Sequence, residues 1–256
     1  MTPRITTSIN NTVIEQGDID AWESRRARAV VRKLARHLGQ RGFREATGDN
    51  PANLVALPAD DLRAALTAAK LALGPVGTYA MLKRELAASE RVARVGARQR
   101  RFAFAHTSIR VEDVSADGFA RWFTSLVDED RRVQMLSACP DHYLLRRTPS
   151  GHQEVVETTG GAPAASRFVV DYTATTGVAI PSDSTFPLQI AGEARLDDGP
   201  VIGGVRHQLR DRGGAMEASL SVQFPALTPR RLLRAHEWHL ACEFGNWARA
   251  YAAEQP

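Results

Sequence analysis

The chain has 256 residues, 43% of them hydrophobic, and a formal net charge of +4, so it can bury a core and falls outside the disordered, collagen-like and disulfide-rich classes. The positive charge comes mainly from arginines spread along the chain, and only 7% of residues are aromatic, which argues against a nucleic-acid partner. The only cysteines, Cys139 and Cys242, favour a cytoplasmic protein. Neither an apolar signal region nor a run of ~20 apolar residues is present, so we expect no membrane partner.

The first hundred residues carry apolar side chains at helical spacing. This pattern predicts helices over residues 22–38, 58–73 and 79–95. Gly39 and Pro51 mark the end of the first helix and the loop after it, and the LGPVG segment at 73–77 separates the other two. We therefore predict a helical N-terminal region, residues 1–98, followed by a second domain, residues 99–256.

From residue 102 the period changes to strand-like alternation, which ends at Asp113. Ser115 or Asp117 is a candidate N-cap for a first short helix, and a second short helix is predicted to begin at residues 128–130. Five strand candidates follow, at residues 152–158, 167–173, 186–196, 201–210 and 215–224. The last element is a predicted helix of about 25 residues, with Thr228 as its N-cap and Pro229 at its first position.

This order of elements predicts an α+β protein whose antiparallel sheet carries helices on one side. A strand, two short helices, a run of antiparallel strands and a long final helix is also the order of the helix-grip fold, the START-like or pollen-allergen-like architecture. In that fold a curved sheet wraps the final helix and leaves a cavity that can hold a small apolar ligand.

Within the final helix, His239 and Glu243 are four residues apart and therefore lie on one face, where both can point at one metal ion. His236 and Trp247 share that face. A short HxxxE pattern also fits a hydrogen-bonded pair at the edge of a core, so it does not identify a metal site alone.

Two further residues could complete a metal site. His142 lies in CPDHY, predicted at the end of the second short helix, and Glu157 lies at the end of the first strand of the meander. Two imidazoles and two carboxylates are a suitable ligand set for Zn²⁺ or another divalent ion. Alternatively, His142 is a turn histidine and Glu157 a solvated strand end.

Three sequence motifs help to decide between a metal site and the structural alternatives for His142 and Glu157. The segment RWFTSLVDEDRRVQMLSACPDHY, the pair GVRHQLRDRGGAMEASL and the helix HLACEFGNWA occur in this order across residues 119–249. They resemble, respectively, the aromatic helix with its DHY motif, the HQ-R-D and G-E strand pair, and the H-x-x-x-E-F-x-N helix of the diacetylphloroglucinol and phloretin hydrolase family. The resemblance covers about half of the chain and does not extend to the N-terminal helices.

The resemblance implies a helix-grip domain and zinc-dependent hydrolysis of the carbon–carbon bond between an acyl group and a polyphenol ring. By motif position it implies the metal ligands His142, Glu157, His239 and Glu243. Glu154 is an alternative to Glu157, since the spacing after DHY is shorter here than in the family. His207 matches the histidine of the HQ motif and is the candidate for proton transfer near neutral pH; alternatively it lies on the exposed face of a strand.

Residues that bind the phenol in the family are replaced here. Residues 133–136 stand where the family has a tyrosine, no asparagine follows DHY, and the R-F-W strand end differs at residues 218–224. We therefore expect a retained metal site and a different aromatic or polyketide-like small-molecule substrate. A zinc-dependent hydrolase is our first hypothesis, a polyketide cyclase, dehydratase or related lyase using the same metal site the second, and a non-enzymatic carrier of an apolar ligand the third. The oligomeric state stays open, with a homodimer among the alternatives.

Overall fold

The computed structural model describes residues 2–98, 101–197 and 199–255. Within these ranges the chain is α+β, as predicted, with one open antiparallel sheet and six α-helices. The helices are α1 Gln16–Thr47, α2 Pro51–Leu54, α3 Ala59–Gly96, α4 Ala116–Asp128, α5 Arg132–Ser137 and α6 Arg230–Glu254. The strands are β1 Ile5–Ile9, β2 Thr12–Ile14, β3 Phe102–Glu112, β4 His142–Arg147, β5 Gln153–Glu157, β6 Ser166–Asp171, β7 Leu188–Arg195, β8 Val201–Arg212 and β9 Ala215–Pro225.

The N-terminal region is mostly helical, but it begins with a hairpin that belongs to the sheet. Asn10 and Asn11 both have positive φ, 50° and 61°, the conformation that asparagine tolerates in a tight hairpin turn. Strand β1 pairs with β2 on one side and with β3 on the other. The predicted boundary between residues 98 and 99 falls at residues 99–100, which lie outside the described residues.

The three predicted N-terminal helices form, but α1 begins at Gln16 and not at residue 22, and the two predicted breaks are only local. Helix α1 continues to Thr47 beyond a non-helical residue at Gly39, with φ 69°. The predicted break at 73–77 is a sharp kink at Gly74, with φ 61°, after which α3 resumes at once. Pro75 is tolerated there because the first residues of a helical segment need no intrahelical donor.

The predicted start of the second short helix and the predicted position of His142 were wrong. The N-cap of α4 is Ser115, whose side chain accepts a hydrogen bond from the Gly118 N–H, but α5 begins at Arg132 and not at residues 128–130. His142 is not at the end of that helix, because α5 stops at Ser137 and the short 138–141 loop leads to His142 as the first residue of β4.

The five predicted meander strands form β5 to β9, and the order across the sheet is β2-β1-β3-β9-β8-β7-β6-β5-β4. Helix α6 begins one residue later than predicted, with Pro229 and not Thr228 as its N-cap. Proline offers no side-chain acceptor, so the first turn of α6 has no side-chain cap.

Helices cover both faces of the sheet, so the prediction of helices on one side only was wrong. The largest apolar cluster packs α4, α5 and α6 against one face and includes Phe119, Phe123 and Phe244. A second cluster packs α1 and α3 against the other face at β4 and β5, through Tyr143 and Val156. The strand ends that carry His142 and Glu157 therefore lie between the N-terminal helices and α6.

Candidate metal centre

Helix α6 presents His239 and Glu243 to the interior of the molecule. His239 is fully buried and Glu243 is 8% exposed. Positions four apart share a helix face, so both side chains reach the same point. A carboxylate and an imidazole replace the apolar residues that a core-facing helix normally carries there, and that substitution requires a polar or charged partner in the core.

The other two predicted ligands lie on adjacent strands. His142 begins β4 and Glu157 ends β5, and the two residues are directly paired in the antiparallel ladder, next to a bulge between His142 and Leu144. Both are buried. The alternatives considered for them, a turn histidine and a solvated strand end, are therefore wrong, and both side chains face α6.

The four side chains converge on one point. The His142 Nε2 atom is 3.1 Å from His239 Nε2, 3.2 Å from Glu243 Oε2 and 3.8 Å from Glu157 Oε2, and His239 Nε2 is 3.5 Å from Glu243 Oε2 and 3.7 Å from Glu157 Oε2. In a tetrahedral zinc site with ligand bonds of about 2.0–2.2 Å, donor atoms are separated by about 3.3 Å. The donor types, the distances and the two compensating carboxylates therefore fit a divalent ion.

The remaining ring nitrogens of the two histidines are bonded to groups that direct Nε2 towards the centre. His142 Nδ1 is 2.9 Å from the Met135 carbonyl oxygen, which only accepts, so Nδ1 carries a proton and Nε2 points at the other donors. His239 Nδ1 is 3.6 Å from Cys139 Sγ, and burial raises the pKa of that thiol well above its usual value. Such outer contacts fix the tautomer and orientation of ligand imidazoles.

The buried histidines and carboxylates of the centre shift one another's pKa values. Burial lowers the pKa of His239, but Cys139, Glu157 and Glu243 outweigh it and raise that pKa well above its ordinary value. Burial raises the pKa of Glu157, whereas for Glu243 the two imidazoles overcome burial and hold the pKa below its usual range. The two carboxylates therefore create a site that attracts a proton or a metal cation.

Two overlapping groups of buried donors could hold a metal ion here. One contains Cys139, His142 and His239, and the other contains Glu157, His236 and His239. We favour the centre formed by the four predicted residues, because Cys139 Sγ contacts His239 Nδ1 and not the Nε2 atom that faces the other donors.

The loop before His142 is held by three helices. Arg26 of α1 forms a bidentate pair with Asp141, with Nη2 2.7 Å from Oδ1. Lys70 of α3 donates to the Pro140 carbonyl at 3.0 Å, and burial lowers its pKa to about 8. Asn246 of α6 donates to the Ala138 carbonyl at 2.9 Å. The N-terminal helices therefore help to fix a ligand-bearing loop.

The turn after Glu157 packs closely on α6. Gly160 has φ +53°, and a Cβ atom there would lie 2.5 Å from the His236 backbone nitrogen and 2.7 Å from the Ala235 carbonyl carbon. Both the backbone conformation and the close contact require glycine. This contact holds the end of β5, and with it Glu157, against the helix that carries the other ligands.

We expect Gly160→Ala to destabilise the protein and weaken metal binding. Gly214→Ala is the matched control, since Gly214 also has positive φ, +75°, but a Cβ atom there would meet nothing within 4 Å. This control should lose only roughly 1–2 kcal/mol of stability, the cost of an alanine in the left-handed conformation. Urea unfolding and metal titration of both variants give the difference. Equal losses in the two variants would show that the close approach to α6 is unimportant.

His207 is buried on β8, beside the Phe244 ring at 4.7 Å. The alternative of an exposed strand histidine is therefore wrong. Burial lowers its pKa to about 4 although Glu243 acts in the opposite direction, which is below the near-neutral range expected from the sequence. Its Nδ1 atom is buried without a hydrogen-bond partner, which leaves a neutral imidazole available to a ligand.

Glu154 lies on the opposite face of β5 from Glu157. Its carboxylate pairs with Arg146 at 2.6 Å and accepts a hydrogen bond from Tyr79. Of the two glutamates considered as the strand ligand, only Glu157 is near the histidines. Glu154 instead underlies an open groove of about 510 Å³ between α3, β4 and β6, away from the four converging side chains.

Sequence reasoning did not assign a role to His236 or Cys139. Burial, together with the nearby His239, lowers the pKa of His236 well below its usual value, and its Nδ1 has no partner. The helical spacing HxxH at 236–239 was a signal for the first, whereas nothing local in the sequence places Cys139 beside a residue one hundred positions away.

No protein-family model matches the chain. Nor does any curated protein match it significantly. No helix in the described ranges is both long enough and apolar enough to cross a bilayer.

Proposed function

We propose that the protein is a metal-dependent hydrolase, with Zn²⁺ as the metal, that cleaves a carbon–carbon bond next to a carbonyl in an acyl-phenol or 1,3-dicarbonyl, polyketide-like molecule. The observation that carries this proposal is that the two imidazole Nε2 atoms lie 3.1 Å apart and that each lies 3.2–3.8 Å from both carboxylates. The three motifs that resemble the diacetylphloroglucinol and phloretin hydrolase family add the reaction class.

We further propose that residues 99–256 form a helix-grip domain. The strand order from β3 through β9 to β4 supports it, because the first and last strands of this segment pair and the remaining strands follow in sequence. Helix α6 lies against the resulting sheet. In this arrangement the substrate lies between α6 and the sheet, next to the metal ligands.

His142, Glu157, His239 and Glu243 would hold the ion. A bound divalent cation supplies Lewis-acid polarisation of a carbonyl oxygen. The apolar surroundings, Phe244 among them, exclude bulk water and strengthen electrostatic interactions. A carrier has no need for four buried donors around one point, so the donor set favours an enzyme.

His207 is proposed to move the proton. Hydrolysis adds the hydroxyl of water to the acyl carbon, which leaves as a carboxylic acid, and adds a proton to the carbon that loses the acyl group. A neutral buried imidazole with a free Nδ1 can donate or accept that proton. Glu243, whose charge acts on His207, is near enough to compensate the charge that transfer creates on the ring.

His207→Asn should keep its metal and lose turnover by about 10²–10⁴-fold, the usual contribution of a positioned acid or base. His152→Asn is the matched control, because His152 lies near a surface turn with its ring 3.4 Å from Asp171. Elemental analysis and steady-state rates distinguish the roles. Loss of metal in His207→Asn, or full turnover, would remove the residue from the proposed proton transfer.

The reaction class is tested by incubating zinc-loaded protein in H₂¹⁸O with an acylphloroglucinol and with a linear 1,3-diketone. A hydrolase releases a carboxylic acid that carries the label. A cyclase, dehydratase or lyase would give a product without a labelled acid, and a carrier would bind without consuming either compound and without stoichiometric metal. The replaced phenol-binding residues lead us to expect faster cleavage of the diketone.

A further inference from the structure

His236 is a buried imidazole that neither the metal centre nor the proposed proton transfer uses. It is 5% exposed, and its Nδ1 atom is buried without a hydrogen-bond partner among the described residues. Buried polar atoms are nearly always paired in native proteins. A nitrogen left free beside a proposed catalytic centre therefore indicates a ligand that supplies the missing bond.

The ring of His236 is held in one orientation next to the centre. It stacks on His239 with centroids 4.8 Å apart and 21° between planes, and the edge of Phe224 meets it at 5.0 Å and 83°. Its backbone is packed against Gly160. Such fixed rings are typical of binding residues, because no conformational entropy is lost when the ligand arrives.

His236 is not needed as a ligand of the same ion. The four proposed ligands already supply the tetrahedral set of a zinc site, and the His236 ring lies nearly parallel to that of His239, with centroids 4.8 Å apart. A ring nitrogen of His236 still lies within 4.8 Å of a Glu157 oxygen, so it can reach a molecule bound at the ion.

We infer that His236 is a specificity-determining residue that hydrogen-bonds the second oxygen of a substrate whose first oxygen lies at the metal centre. This inference rests on the proposed function and deepens it. It selects substrates with two oxygens separated by three carbons, either 1,3-dicarbonyls or phenols with an acyl group in the ortho position. A monoketone fills one position and leaves His236 unpaired.

The test compares two probes that differ by one hydroxyl, 2′-hydroxyacetophenone, a phenol with an acetyl group in the ortho position, and acetophenone, by calorimetric titration of the zinc-loaded protein. Wild type should prefer the hydroxyl-bearing probe by tenfold or more. His236→Phe should bind acetophenone as wild type does and lose that preference, while His236→Gln, which keeps a donor, should recover part of it. His106→Phe, on the opposite face of the sheet, should change neither affinity.

Elemental analysis of each variant is part of the same experiment. A His236→Phe protein that loses zinc would make His236 a ligand, and one that keeps both zinc and the preference would leave His236 without a role in recognition; either result overturns the inference. Melting temperatures show whether the variants fold. If the wild-type protein bound no zinc, the proposed function itself would be refuted. The zinc content of wild type is measured before any variant is tested, so this failure is distinguishable from a failure of the inference on His236.

Discussion

His239→Ala should abolish stoichiometric metal binding. His239 Nε2 lies within 3.7 Å of donor atoms from all three other ligand residues, so its loss removes a central member of the set and leaves two buried carboxylates with one imidazole. Mutating a residue that only hydrogen-bonds to a metal ligand already costs about 10–100-fold in metal affinity, and loss of a ligand should cost more. Competition with a coloured chelator measures the dissociation constant, and elemental analysis measures occupancy.

Thermal unfolding separates loss of metal from loss of fold. A ligand present at about 1,000 times its dissociation constant stabilises the native state by about 4 kcal/mol. A strong chelator should therefore lower the melting temperature of wild type and leave that of folded His239→Ala unchanged. His106→Ala is the matched control, since this histidine bonds to Ser221 and Ser108 on the opposite sheet face and should keep the metal. Full occupancy in His239→Ala would refute the site.

Strand β3 could be predicted because its residues alternate between the buried and the more exposed face of the sheet, and the later strands because turn residues separate them. Strand β4 was missed because Tyr143 and Leu144 pack against the N-terminal helices while Leu145 packs into the main core. A strand buried on both faces shows no alternation. The N-terminal hairpin was missed because it is short and rich in threonine, serine and asparagine.

Only part of the candidate site could be found from local sequence patterns. The His239–Glu243 pair was visible because both residues share one helix face. His142 and Glu157 came from motif resemblance, since their pairing across β4 and β5 depends on strand register. The pairing of Arg26 with Asp141 spans 115 positions, and no local pattern predicts a contact that depends on how distant elements pack.

That distant pair links the N-terminal helices to the metal centre. The Asp141 side chain is fully buried and also accepts a hydrogen bond from Thr158 Oγ1. The Thr158 N–H donates to the Asp141 carbonyl at 3.1 Å. Asp141 precedes His142 and Thr158 follows Glu157 in the sequence, so Asp141 joins the two strand ends that carry ligands, and Arg26 neutralises its charge.

Arg26→Ala should therefore destabilise the fold and weaken metal binding together. Removing one member of a buried ion pair costs about 3–5 kcal/mol because the other charge stays buried without compensation. Arg41→Ala on the same helix is the control: its pair with Glu45 is solvent-exposed and should contribute at most about 1 kcal/mol. Adding Asp141→Asn to Arg26→Ala should recover part of the stability by removing the unpaired charge. Urea unfolding and zinc titration of these proteins measure both effects, and if Arg26→Ala behaved like Arg41→Ala, the N-terminal helices would be a separate cover and not part of the metal centre.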